Sequence, residues 1–304
     1  MESNGRDRRS TSGRAAPAGR AAVEPMTQHR FGRRIFLGGT LAAGAAAAFP
    51  EAAAAEAPAP RAEPQEFHVA GLDPAHDGLR VAQLSDLHVG HRTPSETVRT
   101  AIAEANAFRP DLVVLTGDFL SSRRSEVDAM REQLGGLAAP TVAVLGNHDH
   151  WVDARGAAEA LRGHGYEVLE NEWTTLRLRG APLAIVGVGD HLTHHEDVEA
   201  SFRGLAPGAA PLVLAHGPRT ADALRALARP LLCLSGHTHG GQVNLPILTR
   251  LLVGGVAREP YLRGRFLVGP VQLYVNRGVG NSALAVRVNC PPEVTLATLR
   301  AAPA

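Results

Sequence analysis

Lysine is absent from this 304-residue sequence, in which all 31 Lys and Arg positions are arginine. The absence excludes a Walker-type phosphate loop, a Schiff base and a lysine nucleophile. Aromatic residues are scarce, at 4% of the chain, so the core must be aliphatic and rich in alanine. Only two cysteines occur. Because Cys233 lies within an apolar run typical of a buried strand, we favour a buried thiol over a disulfide with Cys290.

Charge is distributed unevenly along the chain. Residues 1–34 carry eight arginines against three acidic residues, a net charge of +5. Residues 56–304 carry 23 arginines against 26 acidic residues, a net charge of −3. A mildly acidic body argues against nucleic-acid binding. The hydrophobic content of 44% is sufficient for a full core in one or two domains.

The N-terminal segment contains the parts of an export signal. Arg33 and Arg34 precede a weakly apolar, Ala/Gly-rich stretch over residues 39–49, and small residues follow to Ala55. This order resembles a twin-arginine signal, so we predict that residues 1–55 direct the folded protein through the twin-arginine export machinery to the periplasm or the outer face of the cell membrane. A basic disordered tail is the alternative. A membrane span is disfavoured because a bilayer requires ~20 apolar residues.

Domain boundaries follow from composition. Met26 offers an alternative start, in which case residues 1–25 are not translated. Residues 56–66, rich in Ala, Pro and Glu, are predicted to form a linker. Residues 67–304 are predicted to form one catalytic domain. Apolar periodicity predicts helices over residues 94–108, with Ser95 as a candidate N-cap, and over 125–134, 153–163 and 221–227.

Five short apolar runs, each typical of a buried strand, end in side chains that can bind metal. These endings are Asp86-Leu87-His88, Gly117-Asp118, Gly146-Asn147-His148-Asp149, His216 and Gly236-His237-Thr238-His239. Chemistry on α/β sheets usually lies at the carboxyl ends of strands. The set contains carboxylates, imidazoles and one amide but no thiolate, a mixture that suits divalent first-row metals.

The order D-x-H, G-D, G-N-H-D, H and G-H-x-H resembles the signature of the calcineurin-like metallophosphoesterase superfamily. Residues 240–246, 276–280 and 290–294 are similar to a bacterial branch of exported or membrane-associated phosphodiesterases. That branch includes enzymes that cleave the pyrophosphate of UDP-2,3-diacylglucosamine. The resemblance implies an α/β fold, a four-layer α-β-β-α sandwich of two mixed sheets in a single domain without a large cap.

The resemblance also implies a role for each polar residue. Asp86, His88 and His239 would hold one divalent ion, Asn147, His216 and His237 a second, and Asp118 would bridge the two. Two such ions, Mn, Fe, Zn or similar, lie roughly 3.5–4 Å apart, lower the pKa of a shared water and clamp the phosphate. His148 would protonate or stabilise the leaving oxygen, and Asp149 would set the tautomer of His148.

Several residues leave alternatives open. Arg219 stands where relatives of this branch often carry an acidic residue, and either it contacts a substrate phosphate or the lost acid loosens the surroundings of His216. His150, His191, His194 and His195 either line the substrate entrance or, as we favour, belong to a solvated loop. Asp190 is a candidate supporting group for the site.

The substrate is the least determined feature. The apolar residues 245–253 and the arginines that follow suit a phosphorylated lipid, although a strand pair covering the sheet edge fits equally well. We therefore predict hydrolysis of a phosphodiester or pyrophosphate bond in a lipid-linked or nucleotide-sugar substrate, with peripheral membrane contact. A general phosphomonoesterase or nucleotide phosphodiesterase is the alternative, and a non-catalytic metal-binding module is the less favoured one.

Overall fold

A computed structural model describes residues 59–245, 259–282 and 286–302. The predicted leader over residues 1–55 lies outside the described residues, as does the apolar stretch after Leu245. No helix within the described ranges is long and apolar enough to cross a membrane.

The described residues form twelve strands and six α-helices. The strands are β1 (Arg61–Val69), β2 (Leu79–Leu84), β3 (Leu112–Thr116), β4 (Thr141–Val144), β5 (Glu167–Val168), β6 (Glu172–Leu178), β7 (Ala181–Val188), β8 (Leu212–Ala215), β9 (Leu231–Ser235), β10 (Gly264–Val268), β11 (Val271–Val275) and β12 (Glu293–Ala301). The helices are α1 (Ser95–Ala107), α2 (Glu126–Gln133), α3 (Asn147–Val152), α4 (Ala154–Gly163), α5 (Val198–Ser201) and α6 (Thr220–Leu224).

The strands form two six-stranded sheets. One has the order β1-β12-β2-β3-β4-β5 and the other β10-β11-β9-β8-β7-β6. Strands β2 to β5 are parallel, as are β7, β8, β9 and β11, while β12 runs antiparallel to β2 and both β6 and β10 run antiparallel to their neighbours. Both sheets are therefore mixed, as predicted.

Alternation along the central strands builds four layers. In β3, Leu112 and Val114 belong to the core between the sheets, whereas Val113 and Leu115 face the helices α1, α2 and α4. Strand β8 behaves in the same way, with Leu214 between the sheets and its neighbours packed on the opposite side with α6. Because successive strand residues point to opposite faces, strands covered on both sides are apolar throughout. The predicted α-β-β-α sandwich is confirmed.

Two sequence predictions require correction. Residues 61–66, predicted as part of a linker, form the first part of β1, which pairs in parallel with β12. Ser95 is the first residue of α1, and Pro94 occupies the N-cap position. The predicted helices over residues 125–134 and 153–163 are confirmed within one residue at each end.

Candidate dimetal centre

The five predicted metal-binding segments follow the carboxyl ends of β2, β3, β4, β8 and β9, which meet where the two sheets pack together. The side chain of Gln83 joins the sheets at this point, because its Nε2 donates to Thr116 Oγ1 and to the Ser235 carbonyl, each at 3.0 Å. Gly236 N adds a bond to the His216 carbonyl at 3.0 Å. Polar residues that are distant in sequence are thereby brought into one cluster.

One half of the cluster consists of Asp86, His88 and His239, whose donor atoms all lie within 4.8 Å of one another. His239 Nε2 lies 3.1 Å from His88 Nε2 and 3.3 Å from Asp86 Oδ1. All three residues are buried. A carboxylate and two imidazole nitrogens at this separation can converge on one divalent ion.

The other half consists of Asp118, His216 and His237, again with donor atoms within 4.8 Å of one another. His216 Nε2 lies 3.2 Å from Asp118 Oδ2 and 3.1 Å from Asn147 Oδ1. The same Asp118 Oδ2 lies 3.7 Å from His88 Nε2 in the first half. One carboxylate oxygen therefore lies between the two groups, as a bridging ligand requires.

Backbone carbonyls orient two of the imidazoles. His88 Nδ1 donates to the Leu120 carbonyl at 2.9 Å, and His216 Nδ1 donates to the Thr116 carbonyl at 2.8 Å. Each bond leaves Nε2 as the nitrogen that faces the cluster. His239 differs, because Arg287 Nη2 donates to its Nδ1 at 3.2 Å. Because Nδ1 accepts this bond, the neutral ring carries its proton on Nε2, which faces the cluster, and an ion could bind that nitrogen only if the proton moved to Nδ1 and the contact with Arg287 broke.

Two features of the backbone and side chains fit a pair of divalent ions. Nδ1 of His237 is buried and has no hydrogen-bond partner among the described residues, and a coordinating ion would satisfy it. Five of the predicted ligands also have positive φ angles, which non-glycine residues adopt rarely and mainly at functional sites. They are Asp86 (52°), His88 (42°), Asp118 (57°), His237 (74°) and His239 (50°).

The charge of Asp118 is balanced by a proton on His216. Burial opposes ionisation of Asp118, but the charge of His216 and its hydrogen bond hold the pKa of Asp118 well below its usual range. Burial likewise opposes protonation of His216, yet Asp118 raises the pKa of His216 to about 10. Burial lowers the pKa of His88 to about 4 and that of His237 to about 3.

Asp149 does not orient His148, so the predicted role of Asp149 is wrong. Its carboxylate accepts four backbone N–H groups, each at 2.9 Å, from Gly146, Asp118, Phe119 and Leu120. His148 Nδ1 instead donates to the Ser121 carbonyl at 2.6 Å. Asp149 therefore anchors the loop that carries Asp118, and a backbone carbonyl sets the tautomer of His148.

The remaining predicted residues lie outside the two groups of metal-binding side chains. Arg219 is about half-exposed, and its guanidinium lies 3.8 Å from the Asp222 carboxylate rather than in the cluster. Cys233 and Cys290 are both buried and free, in agreement with the favoured prediction. Asp190 is fully buried.

The sequence analysis missed Arg287 and the carbonyl of Ser121. A carbonyl is common to every residue type, and thus leaves no signal in the sequence.

Comparisons with known proteins show which family and which relatives this chain is similar to. The sequence profile of the calcineurin-like phosphoesterase family matches residues 79–241, a span that includes every predicted metal ligand. The chain is 32% identical over 231 residues to the uncharacterized metallophosphoesterase YkuE of Bacillus subtilis, covering 74% of this chain and 80% of that protein. It is 33% identical over 227 residues to the phosphodiesterase YaeI of Escherichia coli, covering 73% and 82% respectively.

A more distant relative is the UDP-2,3-diacylglucosamine pyrophosphatase LpxG of Chlamydia trachomatis. The two are 27% identical over 275 residues, which cover 72% of this chain and 83% of LpxG. Among solved structures, the fold is similar to a 5'-nucleotidase precursor from Thermus thermophilus, with a TM-score of 0.46 and 16% identity. That match covers 72% of this chain and 54% of the nucleotidase.

Proposed function

This chain belongs to the calcineurin-like phosphoesterase family, and we infer that it cleaves a phosphodiester or pyrophosphate bond with the help of two divalent ions. Membership of the family makes it a metal-dependent hydrolase of phosphoric esters. The choice of bond and the use of two ions are our proposal. They rest on the position of Asp118 Oδ2, which lies 3.7 Å from His88 Nε2 and 3.2 Å from His216 Nε2.

The proposal gives a role to each polar side chain. Two divalent ions bound here would supply a nucleophile at neutral pH and offset the charge of the phosphate. His148 is half-buried, and its Nδ1–H is held by the Ser121 carbonyl, so a second proton carried on its Nε2 would be the one passed to the leaving oxygen. Asn147 follows β4 at the start of α3 and presents a neutral oxygen ligand beside His216.

Turnover of bis(p-nitrophenyl) phosphate by the purified full chain tests this function. We expect no turnover by the metal-free protein, turnover after addition of Mn²⁺, Fe²⁺, Zn²⁺ or Mg²⁺, and a kcat/KM for the diester at least about tenfold above that for p-nitrophenyl phosphate. Faster cleavage of the monoester would identify a phosphomonoesterase. No cleavage of either ester with any of these ions would favour a metal-binding module.

We propose a lipid-linked pyrophosphate as the substrate class. The similarity to LpxG supports it, as does Trp151, which is 63% exposed and lies 5.1 Å from the ring of His148. An exposed indole beside the leaving-group histidine offers an apolar surface to an acyl chain. Release of UMP tests the class when UDP-2,3-diacylglucosamine is compared with UDP-glucose as the substrate. Equal kcat/KM values for the two would exclude recognition of the acyl chains.

We also propose that the protein acts outside the cytoplasm. Arg33 and Arg34 support this proposal because they directly precede the weakly apolar stretch of the leader. Replacing both by lysine should shift the activity from the extracytoplasmic to the cytoplasmic fraction of a host with twin-arginine machinery. The matched control replaces Arg30, which lies outside the pair and is present even if translation starts at Met26. Unchanged fractionation of the Arg33/Arg34 variant would contradict twin-arginine export.

A further inference from the structure

A second cluster of metal-binding side chains lies outside the dimetal centre. It consists of His150, Glu170 and His195, which each offer a donor atom within 4.8 Å of the other two. His150 Nε2 lies 3.7 Å from Glu170 Oε1, and the rings of His150 and His195 stack with centroids 4.0 Å apart. We propose that these three residues bind a third divalent ion of the Zn²⁺ type, independently of the dimetal centre.

The unpaired nitrogen of His150 points to a ligand. The His150 side chain is only 6% exposed, yet its Nε2 has no hydrogen-bond partner within the described part of the chain. A buried polar atom without a partner costs free energy, and native structures rarely retain one without a reason. An ion shared with Glu170 would satisfy this nitrogen and offset the nearby carboxylate charge.

Hydrogen bonds determine which nitrogen of His195 is available. Thr193 Oγ1 donates to the buried Asp190 Oδ2 at 2.9 Å and accepts from His195 Nδ1, also at 2.9 Å. The proton of His195 is therefore on Nδ1, and Nε2 retains a lone pair. A chain of hydrogen bonds from a carboxylate to the outer nitrogen of an imidazole is the usual support for a metal-binding histidine.

Asn171 holds two of the proposed ligands in place. Its Nδ2 donates to the His195 carbonyl at 2.6 Å, and its Oδ1 accepts from Gly189 N at 2.8 Å and from Asp197 N at 3.0 Å. Glu170 directly precedes Asn171 in the chain. The loop after β7 is thus fixed against the segment that carries Glu170, and the two ligands are positioned before any ion binds.

An ion at this cluster would also fix α3. Zn²⁺ requires donor atoms about 2 Å away, so the two stacked rings must rotate slightly to direct their Nε2 atoms to one point. The bound ion would then join α3, the segment before β6 and the loop after β7. Because α3 carries Asn147 and His148, the third ion would restrain the helix that presents both to the dimetal centre.

Counting bound zinc tests the proposal. The purified full chain is saturated with Zn²⁺ and desalted, and zinc per chain is measured by inductively coupled plasma mass spectrometry. We expect the wild type to retain one more equivalent of zinc than Glu170→Gln or His195→Ala. The same difference should remain in an Asp118→Asn background, since the third site does not use Asp118. Added Zn²⁺ should also raise the Tm of the wild type more than that of either variant.

Matched controls separate this site from general effects of charge and exposure. Glu172→Gln and His194→Ala alter exposed residues close to the cluster, and both should retain as much zinc as the wild type. Equal zinc content in the wild type, Glu170→Gln and His195→Ala would overturn the proposal. A deficit shared by the controls would also overturn it, since any nearby substitution would then have the same effect.

Discussion

Replacing Asp118 by asparagine is expected to lower kcat/KM for a phosphodiester at least about a thousandfold while leaving the fold intact. Asp118 Oδ2 is the anionic atom between His88 and His216. Removing its charge exposes two dications to their mutual repulsion and costs several kcal/mol of transition-state stabilisation; each 1.4 kcal/mol corresponds to about tenfold in rate. The fold should survive because the amide oxygen can still accept the His148 N–H that Oδ1 accepts at 2.8 Å.

Three measurements on this variant separate the possible causes of lost activity. Metal content reports whether the ions still bind, Tm reports the fold, and kcat/KM reports catalysis. Asp128→Asn is the matched control, since this aspartate is exposed on α2 and pairs only with Arg131 at 2.7 Å among the described contacts; it should behave as the wild type. Substantial diester turnover by Asp118→Asn with two bound ions would show that a bridging charge is unnecessary.

The clustering of the predicted metal-binding side chains could be predicted because their chemistry is in the side chains themselves. Each of the segments that carry Asp86, Asp118, Asn147, His216 and His237 follows a short apolar run, and parallel strands deliver their carboxyl ends to one edge. The four layers were predicted from the family resemblance, and the structure shows how strand alternation places Leu112 and Val113 on opposite faces of the sheet.

The features that could not be predicted depend on distant parts of the chain. Residues 61–66 have the composition of a linker, yet β12 pairs with them in the register Arg61↔Glu293. Pro64 is compatible with β1 because the strand lies at the edge of its sheet, where one side of the backbone needs no partner. The carbonyl that holds His148 belongs to Ser121, and its position is set by the loop after β3. Neither the pairing of β12 with residues 61–66 nor the Ser121 carbonyl that holds His148 is recognisable from local sequence.

Asp149→Asn is expected to lower the free energy of unfolding by about 3 kcal/mol or more, with a loss of activity that follows the loss of structure. Asp149 Oδ1 accepts from Phe119 N and Leu120 N, and Oδ2 accepts from Asp118 N and Gly146 N. An amide keeps one acceptor oxygen but directs its NH₂ group against the other two N–H donors. Each buried donor left without a partner costs about 1–3 kcal/mol, and two are affected.

Urea unfolding followed by circular dichroism measures this loss, with Asp197→Asn as the control. Asp197 Oδ1 caps α5 by accepting from Ala200 N at 2.8 Å, and asparagine caps a helix as well as aspartate does, so the control should differ little from the wild type. If Asp149 acted by orienting His148, the variant would lose activity at unchanged stability. If activity is instead lost only at the urea concentrations at which the variant unfolds, Asp149 is the anchor of the loop that carries Asp118. Asp118 is then misplaced only when that loop is released.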